Sequence, residues 1–365
     1  MGVFGYYCEQ AMDQRIPVTP GILNRVSRAD RFRGSWSSGA PISPDRLARL
    51  KEVAHVQSVA AAARMAGLRV SDTEVVSILR GEATTVREAR EIVGYSSALD
   101  GLFPKGPLVT TEEMRRLHAT ILAGPGANPD PTPWREVPNH LEAFDSSGKA
   151  IGRVFQTLPP RLVPETMENL ATWLEIGLRG SEQHPLLVIG AFILRVFTVS
   201  PFEKGNLRIS CLLASHLLRR VGYDYLPYAS LEREFEERRE AFYDAFDTSS
   251  TKLWTEEADL ESWLVFFLDC LVHQSERVAV KIDLERRALE FSPLQRAILE
   301  TVREHGTARA ALLLTATGTN RNTLKDNLRR LVDRGVLEQM GQRRGTLYRL
   351  ATGEPLSRGP DGESA

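Results

Sequence analysis

Apolar positions along this chain recur mostly three and four residues apart, the period of helices rather than strands. Residues 43–67, "SPDRLARLKEVAHVQSVAAAARMAG", predict a helix with Ser43 as N-cap, Pro44 at the first helical position and Gly67 as the stop. "SDTEVVSILRG" opens on Ser71 with Glu74 three residues later, a capping box in which each side chain satisfies the other residue's backbone N–H. The helical pattern continues through "TTVREAREIVGYSSALDGL" and through "TTEEMRRLHATILAG", which Thr110 or Thr111 caps. Further on it returns in "PETMENLATWLEIGL", "HPLLVIGAFILRVFTV", "LRISCLLASHLLRRVG", "LEREFEERREAFYDAF" and "LESWLVFFLDCLVHQSERVAVKIDLERRA". Residues 1–40 show no such period and predict irregular, turn-rich chain.

Two interruptions organise the rest. Segment 124–162 is dense in Pro and Gly, and two short extended runs flank a Ser-Ser-Gly turn, which predicts a β-hairpin. A second break falls near residue 288. Beyond it, "SPLQRAILETVREHG" carries Ser292, Pro293 and Gln295, again a capping box. "TARAALLLTATG" and "NRNTLKDNLRRLVDRGVLEQ" predict two short helices, and "MGQRRGTLYRLA" predicts strand, turn, strand. This order reads as a winged helix-turn-helix over 288–352. The tail, 353–365, has almost no apolar content and is expected to be disordered. The expected fold is mainly α: an N-terminal helical region at 1–110, a helical core with the hairpin at 111–285, then the small winged module.

Composition changes this picture in two places. The 365 residues are 42% hydrophobic and 25% charged, as in an ordinary globular protein with room for more than one core. The net charge of −1 hides an asymmetry. Residues 291–350 hold eleven Lys/Arg against five Asp/Glu, a local +6, which leaves −7 on the remainder. A basic terminal module on an acidic body points to a polyanionic partner. Cys8, Cys211 and Cys270 are few and far apart, with no metal spacing and no disulfide framework, as expected of a reducing, cytoplasmic compartment. The longest apolar run, 186–199, includes Arg195 and falls short of the roughly 18–20 residues that span a bilayer. No secretory or myristoylation pattern opens the sequence.

The chemistry concentrates in "SPFEKGNLR", residues 200–208, between two helical runs. Gly205 and Asn206 begin the second run, where backbone N–H groups are free and the helix dipole is positive. Lys204 and Arg208 add two cations there, which makes an anion site. The plainer alternative is that Gly-Asn makes the turn and both cations are solvated.

These residues and their surroundings resemble the Fic (Fido) family, helical proteins most of which transfer AMP from ATP to a hydroxyl of a target protein. The family motif is H-P-F-x-[DE]-G-N-G-R. The resemblance extends over roughly residues 15–285: "REVPNH" with "VFQTLPPRLVPETMENLATWLE" looks like the flap hairpin and the helix after it, "HPLLVIGAFILRVFTVSPF" like the motif helix, and "LEREFEERREAFYDAF" like a later helix. The motif itself is degenerate. Ser200 stands where the resemblance implies the general base, and losing a positioned base costs about 10²–10⁴-fold. Lys204 stands where it implies the acid that holds Mg²⁺, so Mg²⁺ is not expected. Leu207 replaces the second glycine, and Cys211 a further arginine. The family's inhibitory helix motif, [ST]-x-x-x-E-[GN], has its counterpart at Ala62, Ala66 and Gly67, without the carboxylate.

Two functions stay open at this point. One is a regulator that no longer transfers AMP, keeps a site for ATP or another phosphate ligand, and binds double-stranded DNA. Base-reading would fall to Arg321, Asn322, Thr323, Lys325 and Arg329, and wing contacts to Arg343 and Arg344. A homodimer would suit paired half-sites. Winged helices also dock proteins, which is the alternative for that module. The other function is a working transferase that uses Lys204 and Arg208 as metal-free phosphate clamps with an unknown base, its protein target docking at the flap, 136–160. His140, in the flap, either faces the site or is an ordinary surface histidine.

Overall fold

The computed structural model describes residues 16–37, 44–82, 89–101, 109–124, 129–145, 149–180, 182–251, 253–255, 258–289, 291–341 and 346–351. Ser43, Cys8, Arg343, Arg344 and the tail 353–365 lie outside them. The chain forms two compact units, Met1–Val280 and Lys281–Ala365. Their division falls inside a long helix, a few residues before the break near 288.

The first unit is mainly α, as expected, but it begins with a helix where irregular chain was predicted. This helix, α1 (Pro20–Ser37), buries only Ile22, Val26 and Ala29. One small apolar contact per turn is too sparse to register as a period. Tertiary pairs hold it instead: Arg25 grips Asp269 through two hydrogen bonds of 2.8 and 3.0 Å, and the Tyr223 hydroxyl donates to Asp30 at 2.6 Å. Next come α2 (Pro44–Met65), whose four consecutive alanines, 60–63, are all buried, and α3 (Asp72–Leu79), where the Ser71–Glu74 capping box forms. The helices α4 (Ala89–Asp100) and α5 (Thr111–Ala123) approach so closely that a Cβ at Gly94 would sit 2.2 Å from the Ile121 carbonyl oxygen. Thr110 is the cap of α5, in a capping box with Glu113.

The predicted hairpin is β1 (His140–Phe144) antiparallel to β2 (Ala150–Gln156), with His140 opposite Gln156 and a register shift between Glu142 and Phe144. Then α6 (Val163–Arg179) leads to α7 (Pro185–Val199), buried along its whole length from Leu186 to Val199. A helix apolar on all sides belongs at the centre of a helical body. Its one charge, Arg195, lies over the Trp173 ring at 4.6 Å. After α8 (Asn206–Arg220), the run predicted as one helix is two, α9 (Leu231–Glu237) and α10 (Arg239–Thr251). Arg238 leaves helical geometry between them, at φ −111° and ψ 34°. The break lets α10 turn Phe242 and Phe246 onto Phe197 and Trp263. Finally α11 (Glu261–Leu289) brings the Trp263 indole N–H to the Gly190 carbonyl at 2.9 Å.

The second unit contains α12 (Pro293–His305), β3 (Thr307–Arg309), α13 (Ala310–Thr317), α14 (Arg321–Asp333), β4 (Leu337–Met340) and β5 (Leu347–Leu350). The start of "TARAALLLTATG", predicted as helix, is strand: β3 pairs with β5, which also pairs with β4, all antiparallel. Ala308 points inward and its neighbours outward, the alternation of a strand. A separate core forms from Ile298, Val302, Leu313, Leu324, Leu328, Leu331 and Leu337. No helix among the described residues is long and apolar enough to cross a membrane.

Candidate functional site

The site is built where α7 ends and α8 begins. Ser200 caps α7 in the left-handed region, φ 51° and ψ 62°, the one non-glycine residue there among the described residues. It is fully buried, and its hydroxyl has no hydrogen-bond partner among them. Arg135 holds the turn through the backbone. Its Nε donates to the Ser200 carbonyl at 2.7 Å and its Nη2 to those of Val199, at 3.1 Å, and Leu158. The Asn206 side chain closes the loop: Oδ1 accepts the Phe202 N–H at 2.9 Å and Nδ2 donates to the Phe202 carbonyl at 2.8 Å. With its amide engaged on both sides, Asn206 holds the loop's shape.

His118 of α5 supports the same loop from behind. Its ring stacks on Phe202 with centroids 3.8 Å apart and planes 4° from parallel. Nε2 lies 2.8 Å from the Lys204 carbonyl and Nδ1 3.1 Å from the Thr132 hydroxyl. Burial pushes the imidazole down to about 4, so it is neutral near pH 7. A carbonyl only accepts, so Nε2 carries the proton and Nδ1 accepts from Thr132. Gly205, at φ 78°, is required here: a Cβ would lie 3.1 Å from His118 Nε2.

The two cations do not stand open. Glu91 of α4 bridges them, with Oε1 2.5 Å from Lys204 Nζ and Oε2 2.5 Å from Arg208 Nη2. Burial would raise the Glu91 carboxyl, but the hydrogen bond from Lys204 and the charge of Arg208 outweigh it and hold it below the usual carboxylate range. The Arg208 side chain is 6% exposed and that of Lys204 62%. Four residues along α4, the buried Tyr95 hydroxyl donates to Glu232 at 2.8 Å, which anchors the helix that carries Glu91.

A cleft of about 320 Å³ opens over this floor. Lys204, Gly205 and Arg208 line it beside Leu207, and α10 delivers Phe242 and Tyr243. The flap contributes His140 and Glu142, and the end of α2 contributes Met65 and Ala66. His140 thus faces the site, with Nε2 3.4 Å from Glu142 Oε1. Ser200 is not among the lining residues. The Mg²⁺ implied by the resemblance does not fit, because Lys204 occupies the acid's place and is itself paired with a carboxylate. No group of three or more His, Cys, Asp or Glu among the described residues is arranged to hold a metal.

In the second unit, Arg321, Asn322, Thr323, Lys325 and Arg329 are all exposed along α14. Asn320 caps that helix, with Oδ1 accepting the Thr323 N–H at 2.9 Å. The side chain of Arg329 leans toward Asp333, 3.8 Å away. Sequence reasoning missed Glu91, Arg135 and His118. Of these, only Arg135 carried a signal, as part of the quoted "REVPNH".

Residues 108–218 match the Fic/DOC family model, so this stretch is a Fic/DOC domain. Among solved structures, the chain is similar to a Fic family protein from Desulfovibrio desulfuricans G20, at 19% identity over 93% of this chain and 99% of that one, with a TM-score of 0.61. A Fic domain containing signaling protein from Bacteroides thetaiotaomicron VPI-5482 is similar at 18% identity over 72% and 97%, TM-score 0.55. Fic-1 from C. elegans is similar at 18% over 74% and 72%, TM-score 0.52. At these identities the likeness is one of fold. No curated protein matches the chain.

Proposed function

Starting from a Fic/DOC domain at residues 108–218, we propose a regulator that binds a phosphate-bearing ligand in the cleft without transferring AMP, and that reads DNA through its C-terminal unit. The observation that carries the first half is the state of the motif. The residue at the base position, Ser200, is buried and does not line the cleft. A serine hydroxyl there has neither the basicity nor the access to take a proton from an incoming hydroxyl. Lys204 and Arg208 still converge on the start of α8, and an anion bound there would displace the Glu91 carboxylate.

DNA reading is supported by the exposed Arg321, Lys325 and Arg329 on α14, and by the local charge of +6. A helix presenting such residues enters the major groove, while its cations meet phosphates. The competing transferase reading gains one observation, that His140 brings an imidazole to the cleft.

A single assay separates the two. The protein is incubated with ATP labelled on the α-phosphate, with and without Mg²⁺, and with candidate protein substrates from a lysate. The expected result is saturable binding without covalent label on any protein. Covalent label that depends on His140 would replace this reading with the transferase one. The DNA half is tested by mobility shift of genomic fragments, including the region upstream of the gene itself, at two salt concentrations. Affinity is expected to fall steeply with salt, because phosphate contacts release counterions. No shift at low salt would leave the C-terminal unit as a protein-docking module.

A further inference from the structure

Four consecutive carbonyls of the turn between α7 and α8 are held by one short segment ahead of the flap. Val199 accepts from Arg135 Nη2 at 3.1 Å, Ser200 from Arg135 Nε at 2.7 Å, Pro201 from the Arg135 backbone N–H at 3.0 Å, and Phe202 from Asn139 Nδ2 at 2.9 Å. The same segment is tied to the chain that leaves the hairpin. Arg135 Nη2 also donates to the Leu158 carbonyl and lies 3.3 Å from the Thr157 hydroxyl oxygen. The Thr157 hydroxyl donates in turn to Asn139, whose backbone oxygen is 2.7 Å away and whose Oδ1 is 2.8 Å away. A carbonyl only accepts, so Asn139 turns its NH₂ to Phe202 and its side-chain oxygen to Thr157. The next residues in the chain, on β1, include His140 and Glu142 of the cleft lining. A two-stranded hairpin is marginally stable alone, so its place over the cleft comes from ties such as these. Its far end is held separately, where Arg239 of α10 donates to the Asp145 carbonyl.

We infer that Thr157 is a positioning residue for the cleft's phosphate-bearing ligand, acting through Asn139 and Arg135 on the turn that leads into Lys204, Gly205 and Arg208. Thr157 itself does not line the cleft, and neither does Arg135. Its hydroxyl joins the hairpin and the anion floor into one hydrogen-bonded unit, so the floor keeps its shape only while the hairpin root keeps its own. Such coupling is reciprocal: a root that favours the floor's binding shape is itself made more rigid when an anion fills the floor. The inference rests on the reading of the cleft as an anion site.

The test is calorimetric titration of the full-length protein with pyrophosphate, in the absence of Mg²⁺. Thr157→Val keeps the side chain's shape and removes its hydroxyl, whereas Thr157→Ser keeps the hydroxyl. Thr157→Val is expected to weaken pyrophosphate binding by about threefold to tenfold, the range spanned by the net worth of one hydrogen bond. Thr157→Ser is expected to stay within about twofold of the natural protein, because the hydrogen bond survives. A general loss of packing at this position would not be rescued by the smaller serine. The second readout is backbone hydrogen exchange at 156–158, residues outside the cleft lining. Pyrophosphate is expected to slow it in the natural protein, and to slow it less in Thr157→Val. Equal affinity in the natural protein and in a folded Thr157→Val overturns the inference and leaves the anion site standing. If Thr157→Val does not fold, exchange in the natural protein is the deciding measurement, and no slowing at 156–158 overturns the inference. Failure of the natural protein to bind pyrophosphate at millimolar concentration overturns the anion site and this inference together.

Discussion

Two clusters of cations stand at the starts of helices in this chain, and their settings differ. At α8, Lys204 and Arg208 share the Glu91 carboxylate, and Arg208 is almost wholly buried. At α14, Arg321 and Lys325 face solvent, and a neutral residue, Asn320, caps the helix. In the first setting the low dielectric makes the pair strong and makes the loss of one member costly. In the second, water screens each charge and a substitution leaves stability nearly untouched. The same residue types at the same kind of position are thus an internal lock in one unit and an exposed electrostatic face in the other.

The largest expected effect is on the lock. Arg208→Ala leaves the Glu91 carboxylate with Lys204 alone and is expected to cost about 3 kcal/mol of stability in urea unfolding, the low end for breaking a buried pair. Arg321→Ala is expected to stay within about 0.5 kcal/mol. Equal effects would break the comparison.

A similar magnitude belongs to His118, but only in acid. Its pKa is lowered to about 4 in the folded protein from an ordinary 6.5. Between those values the unfolded chain binds the extra proton, so stability is fully present above pH 6.5 and is lost as pH falls toward 4. The loss reaches about 3 kcal/mol. His118→Gln should flatten this slope in urea titrations at successive pH values, and Arg321→Ala should leave it unchanged.

Two left-handed glycines sharpen the contrast further. Gly205→Ala meets both the backbone strain of φ 78° and the His118 ring, so a loss of about 2 kcal/mol is expected. Gly318, at φ 63°, has open space around it, so its alanine variant should lose about 1 kcal/mol. Thermal unfolding of the two variants checks the order.

The smallest effect on stability should accompany the clearest change in DNA binding. Lys325→Ala is expected to fold as well as the natural chain. The slope of log affinity against log salt should fall by about 0.9 for each phosphate that the truncated side chain no longer neutralises.

Local chemistry made much of this fold legible. The boxes at Ser71–Glu74, Thr110–Glu113 and Ser292–Gln295 formed because their partners lie three residues apart. The hairpin was marked by its turn. α1 was illegible because its order comes from Asp269 and Tyr223, far along the chain. The site divided in the same way. Lys204, Gly205 and Arg208 could be placed from one short motif. Glu91 could not, because it is 113 residues from Lys204 and 117 from Arg208. Within its own helix it is an ordinary surface charge. His118 was hidden for the same reason, since its stacking partner and its carbonyl acceptor both belong to the motif loop.

The central claim is that the Glu91 carboxylate, paired with Lys204 and Arg208, competes with a phosphate ligand for these two cations. Calorimetric titration of the natural protein and of Glu91→Gln with pyrophosphate, in the absence of Mg²⁺, tests it most directly. Removing the competing charge is expected to tighten pyrophosphate binding by about tenfold or more, the worth of one displaced charge-assisted hydrogen bond, and Arg208→Ala should abolish the gain. Equal affinity in the natural protein and in Glu91→Gln, with both chains folded, would contradict the claim.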